Sequence, residues 1–549
     1  MKKSILLCIV ALSCGLYSAC DKDENNYGML DLERGADVDI ENHDDLPSDE
    51  VEDGKCVDTT LKDEPGECGC QFEDLDIDDD GKTDCPKRVI PLNALPKLED
   101  IPGDCGGWAY PKHPVVRYPK MPEFGYEVTI DTEKYGISRV YDVSKAKETS
   151  TGFAKAIKEY SEMGFTRIVV PEGHYPVDAG GIRVGGADGR PVALIMNNDV
   201  IVQMVPREGW DSQIINIVAD NVYIEGGKLV GDKQDHTNSK TKDGKTNTDE
   251  ENSGINIWNS SGIFINGVNI LSPHGDGVML IGNKKDEATG EYLKMRDIII
   301  ANSSIVDAYR NGIAVVGVDT IRITGNHIEH TMGTAPQFGI DFESGHNGVG
   351  IVDHNTFLNN AAGDIVLSGH MKDASFIEYN LFDKGNLEKQ ADGAFIPWSH
   401  NSFVMYRNKF GVSPGGGCSS QLTCTYGGRE ETNMVKTFIV ENDFPRQRIV
   451  LNRYNYLCIK NNVSHEGVIS LGASPNLRLI GNRVEKYTGK ESAQGDVDYV
   501  IPKDSVKGIA YGNVTCKKNE SGEKYCDEVT KLNEINEKEL YKGINTYTF

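Results

Sequence analysis

Positive charge is scarce in this chain. In 549 residues, 57 Lys and Arg stand against 84 Asp and Glu, a formal net charge of -27. Phosphate backbones are held by clustered Lys and Arg, so this balance excludes nucleic acid as a partner. Much of the acid lies in the first hundred residues and says little about a ligand further on. A bilayer-spanning run is missing at the amino end. The apolar stretch from Ile5 to Leu16 falls short of the roughly 20 residues a membrane helix needs. One ordinary hydrophobic core is excluded by length, because domains with a single core stop growing near 250–300 residues.

What is present is repetition. An apolar alternation followed by Asn and another apolar residue recurs as Ile321–Ile328, Ile351–Phe357, Phe376–Phe382, Val404–Phe410, Phe438–Phe444, Leu457–Val463 and Leu477–Val484, carrying Asn326, Asn355, Asn380, Asn408, Asn442, Asn461 and Asn482. Units of this length that resemble their neighbours stack into a solenoid, and period-2 alternation makes each unit strands rather than helices. The fold expected is all-β, a single-stranded right-handed parallel β-helix with a ladder of stacked Asn side chains. Val268, Ser303 and Gly227 take the ladder position upstream. Near Asp142 a helix is expected, with Thr149–Gly152 as its cap and Phe153, Ala156, Ile157, Tyr160 and Met163 as its apolar face. It would plug the amino end of the coil and shield its edge.

Lys2-Lys3, the apolar run and Ser18-Ala19-Cys20 form a secretory signal whose end resembles a bacterial lipobox. The expectation is a lipid at Cys20 and a place in the bacterial cell envelope, anchored to the outer membrane or exposed at the surface. Tyr17 departs from that pattern, which leaves ordinary cleavage or an uncleaved anchor open. The expected organisation is a signal over 1–20, an acidic tether over 21–105, the β-helix over 106–490 and a carboxyl-terminal cap over 491–549, with a helix from Glu534 to Leu540. Ten Cys follow the signal. Cys418 with Cys424 and Cys516 with Cys526 are spaced for short disulfide loops, and Cys458 is expected as a buried free thiol. In the tether, Asp76, Asp78, Asp80 and Asp84 alternate around Gly81. They resemble calcium loops of the EF-hand, dockerin and thrombospondin type 3 kinds, but Lys87 stands where an EF-hand has its bidentate Glu. A solvated acid run is the plainer alternative.

Tyr141-Asp-Val143, Ala156-Ile157 and Val170-Pro-Glu-Gly-His-Tyr175 resemble the opening of the pectin-lyase-like superfamily, whose members include polygalacturonase- and pectate-lyase-like proteins. The resemblance covers roughly Tyr141 to Val484 and implies a glycan held on the outer face of the strands before the ladder. Aligned turn by turn, those strands start at Ser253, Asp276, Asn311, Phe338 and Gly363. Alternation sends Ile255, Ile257, Val278, Leu280, Ile313, Val315, Ile340 and Phe342 inward. It is expected to send Trp258, Asp276, Asp341 and Glu343 outward, beside Arg310. Asp276, Asp341 and Glu343 are candidate acid and base, Arg310 a candidate base or uronate ligand, and Trp258 a sugar platform. His236 and His274 sit at the edges of long insertions as candidate binding and catalytic residues, although a surface histidine is the plainer reading of each. Of the polygalacturonase motifs only Gly275-Asp276-Gly277 finds an echo, and of the alginate-epimerase motif only Pro273-His274. Three functions stay open: a hydrolase of an acidic, uronate-containing polysaccharide; a polysaccharide lyase or uronate C5-epimerase; and a non-catalytic glycan-binding solenoid or adhesin. None requires an organic cofactor, and calcium is the one ion for which the sequence offers ligands.

Overall fold

The computed structural model describes residues 51–52, 55–56, 66–78, 80–91, 95–286, 288–343, 347–369, 371–383, 393–397, 401–411, 422–423, 436–444, 449–451, 456–465, 469–471, 476–486, 499–502, 509–519, 521–529 and 533–535. The chain is a right-handed parallel β-helix of three long sheets with 15, 14 and 13 strands. The first sheet runs from the strand Pro86–Arg88, beside Phe124–Thr129, to Ile509–Tyr511, the second from Gly173–Val177 and the third from Ile182–Val184. The strands of the coil pair in parallel with their counterparts one turn on, as in Ile298↔Ile321 and Ile305↔Ile328, and within these three sheets only the edge strands Pro86–Arg88 and Lys524–Glu528 are antiparallel among the described residues. Alternate side chains of each strand point inward, and these form a continuous Ile-, Val-, Leu- and Phe-rich core from Val128 to Val484.

The Asn ladder is built as expected, with one change of register. The amide and Nδ2 of Asn326 both donate to Asn355 Oδ1 at 2.9 Å, and Asn326 Nδ2 also donates to the Ile300 carbonyl. The pattern repeats through Asn380, Asn408 and Asn442, but then passes to Asn462, not Asn461, and extends beyond Asn482 to Asn513. The reason lies in the residue before each ladder position. Asn302, His354, Tyr379, Arg407, Glu441 and Asn461 all have φ between 50° and 56°, and Gly325, Gly481 and Gly512 take the same left-handed conformation. This turn aims the next side chain along the axis. Bulky residues hold that strained conformation only where the surroundings compensate. With two Asn in succession, Asn461 makes the turn and Asn462 makes the bonds.

At the amino end the helix spans Ala146–Met163, and Phe153, Ala156, Ile157 and Tyr160 join the core. It starts earlier than expected. Asp142 Oδ1 caps a preceding 3-10 turn, so Thr149, Ser150 and Gly152 lie inside the helix, where Gly152 is needed because a Cβ would stand 2.5 Å from the Tyr135 carbonyl.

Four further expectations are corrected. Residues after 490 continue the coil, since Tyr499–Pro502, Ile509–Tyr511, Val514–Lys518 and Asn533–Ile535 all join the sheets. Asn533–Ile535 is thus strand where a helix was expected from Glu534; the remainder of that segment, the proposed Cys418–Cys424 pair, Cys20 and residues 1–50 lie outside the described residues. Cys458 is not a free thiol. It pairs in register with Phe438 on the outward side of the first sheet and forms a disulfide with Cys105. Residues 95–121, expected as tether up to 105 and as β-helix from 106, are instead a strap that runs out along this sheet and returns. The outgoing leg accepts a bond from Arg322 at the Pro96 carbonyl (2.6 Å) and from Arg478 at Gly106. On the return, Trp108 meets Tyr456, Tyr110 meets Phe438, His113 Nε2 pairs with Glu378 (2.8 Å) and Tyr118 meets Phe264. The strap buries outward-facing Ile351, Phe376, Val404 and Phe438. Cys68–Cys85 and Cys516–Cys526 are the other disulfides with both partners described.

Candidate functional site

The third sheet carries the candidate site through seven strands: β1 (Ile182–Val184), β2 (Gln213–Ile217), β3 (Ser253–Trp258), β4 (Asp276–Ile281), β5 (Ile313–Val316), β6 (Phe338–Phe342) and β7 (Gly363–Leu367). The expected register holds, with Ile255↔Val278, Val278↔Ile313, Ile313↔Ile340 and Ile340↔Ile365. The strands enter through a column of Gly254, Gly277, Gly312 and Gly339. A Cβ on any of them would meet the carbonyl of the next turn at 2.5–2.7 Å. Glycine there lets successive turns close to sheet spacing at a corner.

Arg310 organises the charges. Its Nη1 donates to Asp276 Oδ2 at 2.9 Å and its Nη2 to Glu343 Oε1 at 2.6 Å, with Glu250 Oε2 3.8 Å from Nε. Asp276 was expected on the open face, yet it is fully buried. It shares the parity of Val278 and Leu280, stands at the Gly corner, and its Oδ1 accepts the Asn311 amide at 2.9 Å. Burial pushes its carboxyl up to about 6, against the pull of Arg310. Asp276 is therefore a support for Arg310 and for the turn, closed to a substrate. Arg310 is likewise not free to hold a uronate or take a proton: burial opposes its charge, but the carboxylates of Asp276 and Glu343 hold it firmly cationic.

Asp341 and Glu343 do share the outer face. They flank the inward Phe342, two residues apart, so their backbones are about 6.6 Å apart along the strand. Asp341 is 4% exposed and accepts from Ser368 Oγ at 2.9 Å, whereas the Glu343 side chain is 27% exposed and reaches the mouth of the site. Burial first and the Glu343 charge second push the Asp341 carboxyl well above the usual range. Trp258 is 45% exposed at the end of β3, in register with Ile281 and Val316 along the row that leads to Glu343.

The two histidines belong to a staple instead of the site edge. His236 is buried between Asp232 (2.9 Å from Nδ1) and Asp249 (3.3 Å from Nε2), and it stacks on His274, which stacks on Tyr309, at 3.6 and 4.2 Å. Burial and the neighbouring His236 lower His274 to about 4, so it stays neutral at pH 7. The staple fixes the Asp232–Asn252 insertion, which returns to the sheet where the Asn252 carbonyl accepts the Asp276 amide. In the amino-terminal region Asp76, Asp78 and Asp84 bring ligand oxygens within 4.8 Å of one another, beside the Cys68–Cys85 disulfide. Asp80, expected as a fourth ligand, is not in that group and pairs with Lys82 at 2.8 Å. The chemistry of three convergent carboxylates suits a hard cation such as calcium.

Fold and site together define a right-handed parallel β-helix with an outward carboxyl pair on one sheet. Residues 253–444 match the family model described as the right handed beta helix region. The chain is similar to the uncharacterized protein YclG of Bacillus subtilis (strain 168), 24% identical over 278 residues, which are 47% of this chain and 45% of that protein. It thus spans less than half the length of this curated relative. Among solved structures it is similar to the pre-mature bacteriophage phi29 gene product 12 (TM-score 0.42, 14% identity, 74% of this chain and 58% of that one). It is also similar to a hyperthermoactive exopolygalacturonase from Thermotoga maritima (TM-score 0.31, 14% identity, 76% and 97%).

Proposed function

We propose that the protein is a carbohydrate-active β-helix that hydrolyses an acidic polysaccharide, with Asp341 as general acid and Glu343 as general base. The observation that carries this reading is the Asp341–Glu343 pair itself: neighbours on one outward face, one buried with its carboxyl pushed well above the usual range, the other paired with Arg310 near solvent. Two environments that set two carboxyls apart are what acid–base catalysis needs. Their backbones stand about 6.6 Å apart along the strand, and the inverting arrangement needs their carboxyl groups roughly 6.5–9.5 Å apart with a water between them. In the reaction Asp341 gives its proton to the glycosidic oxygen as the C–O bond breaks. Glu343 takes a proton from the water that attacks the anomeric carbon from the opposite face. The two protons then re-equilibrate through solvent.

The lyase or epimerase reading is weakened because, of its proposed bases, Arg310 is held by Asp276 and Glu343 and His274 is buried in the stack between His236 and Tyr309. A binding solenoid remains the second reading, favoured by the depth of Asp341. The lipobox-like segment at Cys20 supports an envelope location through a lipid anchor, and Asp76, Asp78 and Asp84 support a calcium loop in the amino-terminal region. The test is a screen of the purified protein on uronate-rich and neutral glycans, reading reducing ends and absorbance near 235 nm together. New reducing ends without absorbance, lost in Asp341→Asn and Glu343→Gln, are expected. Absorbance would select the lyase, and binding without turnover the adhesin.

A further inference from the structure

With Arg310 committed to Asp276 and Glu343, a polyanionic glycan must find its cation elsewhere on this face. Register supplies one. The outward row that contains Asp341 reads Arg183↔Asn216, Asn216↔Asn256, Asn256↔Met279, Met279↔Ala314 and Ala314↔Asp341 across β1 to β6. The middle of the row, with Ile281 and Val316 beside it, is uncharged. Its amino end is different. Arg183 is exposed, and its guanidinium has no ion-pair partner among the described residues. Asn256 is 6% exposed; its Nδ2 donates to Asn216 Oδ1 at 3.2 Å, while its own Oδ1 is buried and accepts no bond among the described residues. An orphaned buried acceptor is costly, so it marks a place where a donor is meant to arrive. Next to it on the same strand face stands the exposed ring of Trp258.

We propose that Arg183, Asn216, Asn256 and Trp258 form a subsite for an acidic sugar of the substrate, on the same sheet face as Asp341 and Glu343. The assignment of roles follows from chemistry. Arg183 holds the sugar carboxylate as a planar two-bond pair. Asn256 offers its unsatisfied Oδ1 to a sugar hydroxyl once its side-chain amide swings toward the ligand, and Trp258 offers its face to the ring's C–H surface. Five turns separate Arg183 from Asp341, about 24 Å at the spacing of neighbouring strands. A chain bound here therefore lies along the solenoid axis and reaches the carboxyl pair several sugars away, which makes the ligand an oligomer or polymer. This inference deepens the hydrolase reading but does not need turnover.

The test is calorimetric binding to the full chain, using galacturonate and mannuronate oligomers and their carboxyl-reduced, neutral counterparts, with Asp341→Asn present to halt cleavage. At least one uronate oligomer should bind. Arg183→Ala should weaken it tenfold or more, and Arg183→Lys should recover part of the loss. The reduced oligomer should bind weakly and be indifferent to Arg183→Ala, whereas Trp258→Ala should weaken both. Circular dichroism on each variant confirms that the coil is intact. Absence of binding by any uronate oligomer, or equal affinity in Arg183→Ala, would overturn the subsite. Binding as described, with no cleavage by the unmodified protein, would instead retain the subsite and sink the hydrolase.

Discussion

Replacing Asn355 by Ala should cost the coil about 2–6 kcal/mol, and the figure comes from two buried backbone groups. Asn355 Oδ1 accepts the Asn326 amide at 2.9 Å, and its Nδ2 donates to the Ile323 carbonyl at 2.9 Å. Both backbone groups belong to buried residues. Alanine leaves each without a partner, at about 1–3 kcal/mol per orphaned group. Asn462→Ala should behave alike, because its Oδ1 accepts the Asn442 amide and its Nδ2 donates to the Ile439 carbonyl. The control is the neighbouring Asn461→Gly. Asn461 is exposed with φ 55°, and glycine takes that conformation without strain, so the change should stay within about 0.5 kcal/mol. Urea denaturation followed by circular dichroism, with midpoints compared at a common slope, reads all three. Equal effects at positions 461 and 462, or losses under 0.5 kcal/mol at Asn355, would refute the ladder as a source of stability.

Other outcomes follow from the same geometry. Arg310→Met strips the partner from buried Asp276 and should destabilise by about 3–5 kcal/mol near neutral pH, with a smaller loss at pH 5, where Asp276 can take a proton; thermal melts at the two pH values check it. Asp341 has a raised folded-state pKa, so the stability associated with its neutral form is complete below its unfolded value of about 3.9 and is lost as pH rises toward the folded value. Asp341→Asn should therefore match the parent protein below pH 4 and become progressively more stable than it above, and a constant difference across pH 3–8 would contradict this. Breaking the 353-residue closure of Cys105–Cys458 with paired Ser substitutions should remove at most about 6 kcal/mol by chain entropy and expose residues 95–121 to proteolysis before the coil, which limited digestion with mass spectrometry reads.

The fold was legible because the coil repeats a short-range pattern: an inward alternation, a left-handed residue and a ladder Asn. The slip from Asn462 to Asn461 shows the limit of reading position alone, since adjacent Asn residues look equal until one is seen to make the turn. The strap was not legible, because nothing local in Leu98, Ile101 or Trp108 announces a partner hundreds of residues away. The same holds for Cys105 and Cys458. At the site, stacking the turns placed Asp276, Arg310, Asp341 and Glu343 together. It did not reveal that Arg310 spends its donors on Asp276 and Glu343, or that His236 faces two carboxylates under the insertion. The outward parity of Arg183 and Asn256 was readable from the alternation, but an exposed Arg and a buried Asn carry no motif that sets them apart from other outward residues.

The measurement that tests the acid–base account most directly is proton NMR of the first sugar end released from a substrate found in the glycan screen, recorded before mutarotation. The account predicts a newly formed anomer inverted relative to the cleaved bond, with no signal in Asp341→Asn. A retained anomer, or an unsaturated sugar in its place, would contradict the roles given to Asp341 and Glu343.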